Sequence, residues 1–322
     1  MIELHGLHTL LSFLGFLALF TFFGLSITKI WLVPADAFAT PEVFLRWQKM
    51  MDECLGLMTF AGVMLLLVRT AEMAGGSLEE VLSDVPVVLT RTHFGSIWSV
   101  HLATLLGLWV CCSACSSNSS SNLWTAIVVA GMLVLAFTYS ASSHASDAGD
   151  FTLSELNDWM HVVSTAVWGG AIFACALLVF PMLRTQDALI SGVAIRLSDL
   201  AGVALAVVLI TGVYNAVLRL PNWGAFTATN YGRVLAVKLG VVAVVALIGA
   251  FNRFVVVPRI KRHVADRTCP VEGPLRLIFR ALLIDAIFIL GAILLAAVLV
   301  QSEPDSASHA QHPSSAYGGG DR

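Results

Sequence analysis

The sequence predicts an all-α polytopic integral membrane protein with about eight spanning helices, and three observations carry that prediction. Hydrophobic residues make up 57% of the chain and charged residues 12%, against about 25% charged in a soluble domain. The apolar residues fall into runs long enough to cross a bilayer, which takes roughly 20 residues in a helix. Lys and Arg gather on alternate connections between those runs, the asymmetry that orients a spanning chain.

The runs lie near residues 7–33, 51–69, 94–115, 123–143, 157–181, 199–219, 231–255 and 277–300. The first is followed by Ala35-Asp36-Ala37, which resembles a signal-cleavage site. Its apolar stretch far exceeds the roughly 7–15 residues of a signal h-region, and no basic segment precedes it, so it reads as a retained helix. The second run and an amphipathic segment behind it complete an N-terminal unit, residues 1–90. The third opens at Thr92-His93 and ends in Cys111, Cys112 and Cys115. Cys112-x-x-Cys115 has chelating spacing, and lipid-boundary thiols are the plainer reading. An acidic connection with Asp147, Asp150 and Glu155, but no Lys or Arg, joins the fourth run to the fifth. The sixth follows Arg196, the seventh carries Lys238 and the eighth Asp285. Residues 91–300 thus form a transmembrane core, and 301–322, rich in Ser, Gly and His, read as a disordered tail. The cysteines lie mostly in or against apolar runs, so no secreted disulfide framework is visible, and a net charge of −3 does not suggest nucleic acid.

Placing the N-terminus outside puts twelve of the eighteen Lys and Arg residues inside, among them the cluster from Arg253 to Arg280. The predicted orientation is therefore N-out, C-out, with the cluster also suited to anionic lipid heads. It sets eight of the nine histidines on the outer side and only His263 inside. There is an internal echo as well. Thr92-His93-Phe94-Gly95 opens the third helix with His101 nine residues after the Thr; Thr229-Asn230-Tyr231-Gly232 opens the seventh with Lys238 at the same distance. The echo suggests a 4+4 parallel repeat about an axis along the membrane normal.

The histidines are where chemistry is expected. His144 closes the fourth helix on the outer side and His161 enters the fifth from it. Asp158, His161, Thr165 and Trp168 stand at i, i+3, i+7 and i+10, one face of a helix. An ionisable residue inside a membrane is costly and usually faces the bundle, so His161 reads as a metal ligand, with Asp158 as a second ligand or as the acceptor that fixes its tautomer. A polar pair packing one helix on its neighbours is the alternative. His5 and His8, at i and i+3, could chelate one ion or be interfacial polar residues. His93 and His101 are about 12 Å apart along the axis, too far to share an ion easily, and His101, the deeper, is the better candidate. Imidazole suits copper and zinc, and outer-facing sulfur is sparse, so the copper oxidation state is left open. Lys238 is close enough to the outer face to snorkel. Asp285 is either a proton-coupling carboxylate or a hydrogen-bonded packing residue.

Several of these stretches together resemble the copper resistance protein D family of bacterial inner-membrane proteins. They are Ser143-His144-Ala145, Asp158 through His161 to Trp168-Gly169-Gly170, Arg196-Leu197-Ser198, Thr211-Gly212-Val213, the run from Thr229 to Leu239, Asn252-Arg253, and Ser302-Glu303-Pro304. The similarity covers roughly residues 90–304. It implies a multi-pass inner-membrane protein, not an enzyme, that moves or senses copper beside a periplasmic partner of the copper resistance protein C type, as a homo-oligomer or in a larger membrane complex. Carried over, it points to His144 and His161. His101 stands where a basic residue is expected, and Asp285 where the family tends to have Glu. No P-loop is present to power transport by ATP. Two other readings compete: a haem b cytochrome with two histidine ligands, and a structural subunit whose histidines are incidental.

Overall fold

The computed structural model describes residues 2–74, 78–114, 122–143, 149, 151–183, 186–220, 222, 224–266 and 272–301. The regular elements are all helices: α1 (Ile2–Ile27), α2 (Pro41–Ala74), α3 (Leu78–Arg91), α4 (His93–Ser113), α5 (Asn122–Ala141), α6 (Leu153–Ala174), α7 (Phe180–Leu183), α8 (Asp187–Arg219), α9 (Ala225–Ala228), α10 (Asn230–Phe251), α11 (Val257–Asp266) and α12 (Glu272–Gln301). Among the described residues eight helical segments are long and apolar enough to cross a membrane; they are built on α1, α2, α4, α5, α6, α8, α10 and α12. The protein is an all-α multi-pass membrane protein.

Two spans run well beyond their apolar cores. The second begins at Pro41 rather than near 51, because Pro at the first helical position lacks only an N–H that would be unpaired there. The sixth begins at Asp187 rather than near 199, with an acid in its first turn where the helix dipole favours one.

The packing order follows the echo. α1 and α6 lie against each other at the centre; α2 and α12 flank α1, and α8 and α5 flank α6. α4 packs on α2 and α5, and α10 on α12. The first four spans and the last four therefore repeat one pattern, each set's opening helix central and its closing helix touching the other set. The central crossing is backbone on backbone: a Cβ on Gly24 would sit 1.8 Å from the Gly170 carbonyl oxygen, and one on Gly170 would sit 1.9 Å from that of Phe20. Trp168-Gly169-Gly170 owes its last residue to this contact.

The two threonine motifs of the echo are built alike. Thr92 Oγ1 accepts from Gly95 N at 2.9 Å and donates to Val88 O at 2.7 Å. Thr229 Oγ1 accepts from Gly232 N at 3.0 Å and donates to Ala225 O at 2.9 Å. Each is an N-cap that ties a spanning helix to the short helix before it. At the opposite end of the bundle α1, α6 and α10 each pass into a five-residue π turn, Thr28–Leu32, Cys175–Val179 and Asn252–Val256. That end holds most of the described basic residues. Arg196 reaches the Trp31 and Leu32 carbonyls at 3.4 and 3.3 Å, and buried Lys29 lies 4.6–5.7 Å from the ring centres of Phe38, Phe44, Trp47 and Trp124, a cation–π arrangement that keeps a charge in an apolar setting.

Candidate functional site

The entry of α6 is fixed first. Thr152 Oγ1 accepts from Glu155 N at 3.3 Å, and the Glu155 carboxylate reaches back to Phe151 N, close to a capping box. Phe151 is held in the left-handed region, φ 57°. The first turns of α6 then present Asn157, Asp158 and His161 to α5 and α8.

Asp158 is a hub between helices. Its Oδ2 accepts from Ser140 and Ser143 of α5 and the following turn at 3.2 and 3.3 Å. Its Oδ1 accepts from Asn215 and Arg219 of α8 at 3.0 and 3.3 Å. Asn157 adds bonds to Asn215 Oδ1 and the Thr211 carbonyl at 2.8 and 3.0 Å. Asn215 and the Arg219 guanidinium thus donate to the carboxylate, while the single hydroxyl protons of Ser140 and Ser143 are shared with the Glu155 and Ser140 carbonyls at 3.1 and 2.8 Å.

His161 is oriented by a different residue from the one the sequence suggests. Its Nδ1 lies 2.9 Å from Thr211 Oγ1, and the Thr211 hydroxyl donates to Val207 O at 2.7 Å. A hydroxyl has one proton to give, so Thr211 can only accept from the ring. That selects the Nδ1–H tautomer and leaves Nε2 with its lone pair. Thr211, not Asp158, fixes the tautomer. Gly212 gives the ring room, since a Cβ there would sit 3.2 Å from His161 Cε1.

Asp158, His161, Thr165 and Trp168 all line one cavity of about 210 Å³, as their spacing on one face predicts. The other walls come from α1, α5, α8, α10 and α12. Most of the lining is apolar; Lys238 and Arg219 also face it, and Arg219 is the partner of Asp158. With its carboxylate engaged, the cavity offers coordination by nitrogen rather than attraction by charge.

The other candidates are dispersed. His101 is fully buried, with Nδ1 2.8 Å from Thr138 Oγ1, whose hydroxyl donates to Leu135 O at 2.7 Å. This repeats the threonine device of His161. Its Nε2 is buried without a partner, between a stacked Trp98 and an edge-on Tyr139, centroids 4.7 and 5.4 Å away. His8 is buried against Glu72 at 3.3 Å, whereas His5 and His93 are exposed. His144 lies outside the described residues, as do Asp147, Asp150 and Cys115; Ser143, which precedes His144, lines the cavity. Among the described residues no three His, Cys, Asp or Glu side chains converge as a metal site. Among the described histidines, His161 alone lines the cavity.

Thr211, Asn215, Arg219 and Thr138 were not singled out by spacing. Thr211-Gly212-Val213 is nevertheless one of the elements that carry the family resemblance, which was the available signal for the first of them.

Comparison with known proteins places these features. The family model described as copper resistance protein D matches residues 191–299, and that described as copper resistance protein D-like, N-terminal domain, matches residues 1–151. The likeness therefore reaches into the first 90 residues, beyond the 90–304 that the motifs cover, while the segment with Asp158, His161 and Trp168 falls between the two matches. The copper transport protein CutJ of Bacillus subtilis is 28% identical over 236 residues, 70% of this chain and 43% of the relative. The chain thus spans less than half of that protein. The copper resistance protein D of Pseudomonas syringae pv. tomato is 24% identical over 63% of this chain and 67% of its own. The inner membrane protein YebZ of Escherichia coli is 23% identical over 81% and 87%. No solved structure matches the chain.

Proposed function

The chain belongs to the copper resistance protein D family, and from that premise we propose that it takes up copper at the histidine cavity and passes it inward or holds it for a partner. The observation that carries this reading is His161, whose ring is clamped through Nδ1 so that Nε2 keeps a lone pair beside a cavity among the membrane helices. A metal-binding histidine characteristically donates its other ring N–H in this way, and the donor bond fixes its orientation. With the N-terminus outside, as the Lys and Arg distribution directs, the cavity lies in the outer half of the membrane, that of a bacterial inner membrane facing the periplasm. His144, next in the chain after Ser143, supplies the second imidazole. Asp158 acts as the brace of the site rather than as a ligand, and His101, His8, His5 and His93 are not needed for it.

The basic neighbours bear on the oxidation state. Repulsion from Lys238 and Arg219 scales with the charge of the ion, so Cu(I) meets half the repulsion that Cu(II) or Zn(II) would. Two imidazoles can hold a monovalent ion without a carboxylate. The names of the relatives speak of copper resistance and copper transport, and a periplasmic protein of the copper resistance protein C type is the partner that would deliver the ion.

A competition titration of the detergent-solubilised full chain against a chromophoric Cu(I) chelator tests this. His161→Ala is expected to weaken binding by more than the roughly 10–100-fold that loss of an outer-shell partner brings. Unchanged affinity would overturn the assignment.

A further inference from the structure

A second cavity, of about 190 Å³, lies between α6, α8, α10 and α12 toward the basic end of the bundle. It shares Trp168 and Val245 with the histidine cavity, so these two side chains form the wall between them. The lining is largely apolar, and Asp285, Asn252 and Arg253 are its strongly polar side chains. Asp285 is 2% exposed and Asn252 7%. Oδ1 of each is buried and has no hydrogen-bond partner. Arg253, the one basic group lining the cavity, is engaged with Ser198 O at 2.7 Å and Asp199 at 3.3 Å.

Two residues that line one cavity thus each carry a buried acceptor oxygen to which none of the described residues donates. A carboxylate left unpaired in an apolar interior is strongly disfavoured, and an acid kept within a membrane helix marks a function by default. What the pair lacks is a hydrogen. A proton on Asp285 removes the charge and turns one of the two acceptors into a donor. The cavity has room for water, which occupies about 30 Å³ per molecule, to relay it. Asn252 also opens the π turn Asn252–Val256, and π turns within helices frequently lie at functional sites.

We propose that this inner cavity is a proton site, in which Asp285 takes up and releases a proton and Asn252 is its oxygen partner, sealed from the histidine cavity by Trp168. The step is transfer of a proton from hydronium in the inner-side water to the carboxylate, giving the carboxylic acid and water, and its reversal. The proton site stands independently of the copper reading; its use, to drive copper past Trp168, rests on that reading.

Infrared spectroscopy of the full chain in lipid nanodiscs, in H₂O and D₂O, tests the proposal. The wild type is expected to show a deuterium-sensitive carboxylic-acid C=O band that Asp285→Asn removes and Asp285→Glu shifts. Glu155→Gln is the control, because Glu155 is also fully buried with one unpartnered oxygen; it should leave the band unchanged. No acid band in the wild type, a band that survives Asp285→Asn, or one that disappears with Glu155→Gln would overturn the proposal. Should Asp285→Asn fail to fold, a band unmoved in Asp285→Glu would do the same. Copper affinity in the same preparations separates the two readings: wild-type protein without copper affinity would end the copper reading and leave the infrared result standing.

Discussion

Thr211 spends its only proton on the Val207 carbonyl, and the tautomer of His161 follows from that. The dependence is testable apart from the histidine itself. Thr211→Val keeps the shape and removes the acceptor, and should weaken copper binding by about 10–100-fold, whereas Thr211→Ser should retain it; a chelator competition titration reads both. The line Asp158, His161, Thr165, Trp168 was legible in the sequence because helical periodicity puts those positions on one face whatever packs against it. The partners of that face were not legible. Thr211, Asn215 and Arg219 reach it from a helix some fifty to sixty residues on, and no local pattern encodes which hydroxyl or amide a buried imidazole or carboxylate will meet. Asp158 illustrates the limit: spacing placed it beside His161, while its hydrogen bonds go to Asn215, Arg219 and the two serines.

At the scale of elements, the crossing of α1 and α6 is the contact that most constrains the bundle. Gly170→Ala drives a methyl group into the Phe20 carbonyl and should cost about 1–3 kcal/mol or more, the usual penalty of overpacking. Gly107→Ala, with nothing within 4 Å of the added carbon, should stay within about 1 kcal/mol of wild type. Unfolding of the two variants in detergent, followed by circular dichroism, compares them. The existence of all eight spans could be read from apolar run length alone, since a bilayer core of fixed thickness sets that length. Two starts could not be: Pro41 and Asp187 begin helices whose opening stretches are broken by charges, Glu42, Arg46 and Lys49 in one and Arg196 and Asp199 in the other. The Thr92 and Thr229 echo was visible as sequence and proves to be one repeated cap. The three π turns had no sequence signal, because a one-residue slip in a helix leaves the apolar pattern almost unaltered.

For the whole molecule, the two sets of four spans share a pairing scheme but not a chemistry. The first set buries His101 among aromatic rings, with its free ring nitrogen walled in. The second carries His161 and Asp285, each beside a cavity, the former also walled by α1 and α5 of the first set. In the proposed account the first set is a packed frame and the second the working half, a division that apolar run length does not reveal. The central claim is that copper binds through His161 together with His144. Elemental analysis of the detergent-purified full chain by inductively coupled plasma mass spectrometry tests it most directly, with copper, zinc and iron measured together in wild type and in the His144→Ala/His161→Ala variant. The account predicts near-stoichiometric copper in the wild type and its loss in the double variant. Copper retained by that variant, or near-stoichiometric iron in place of copper, would contradict it.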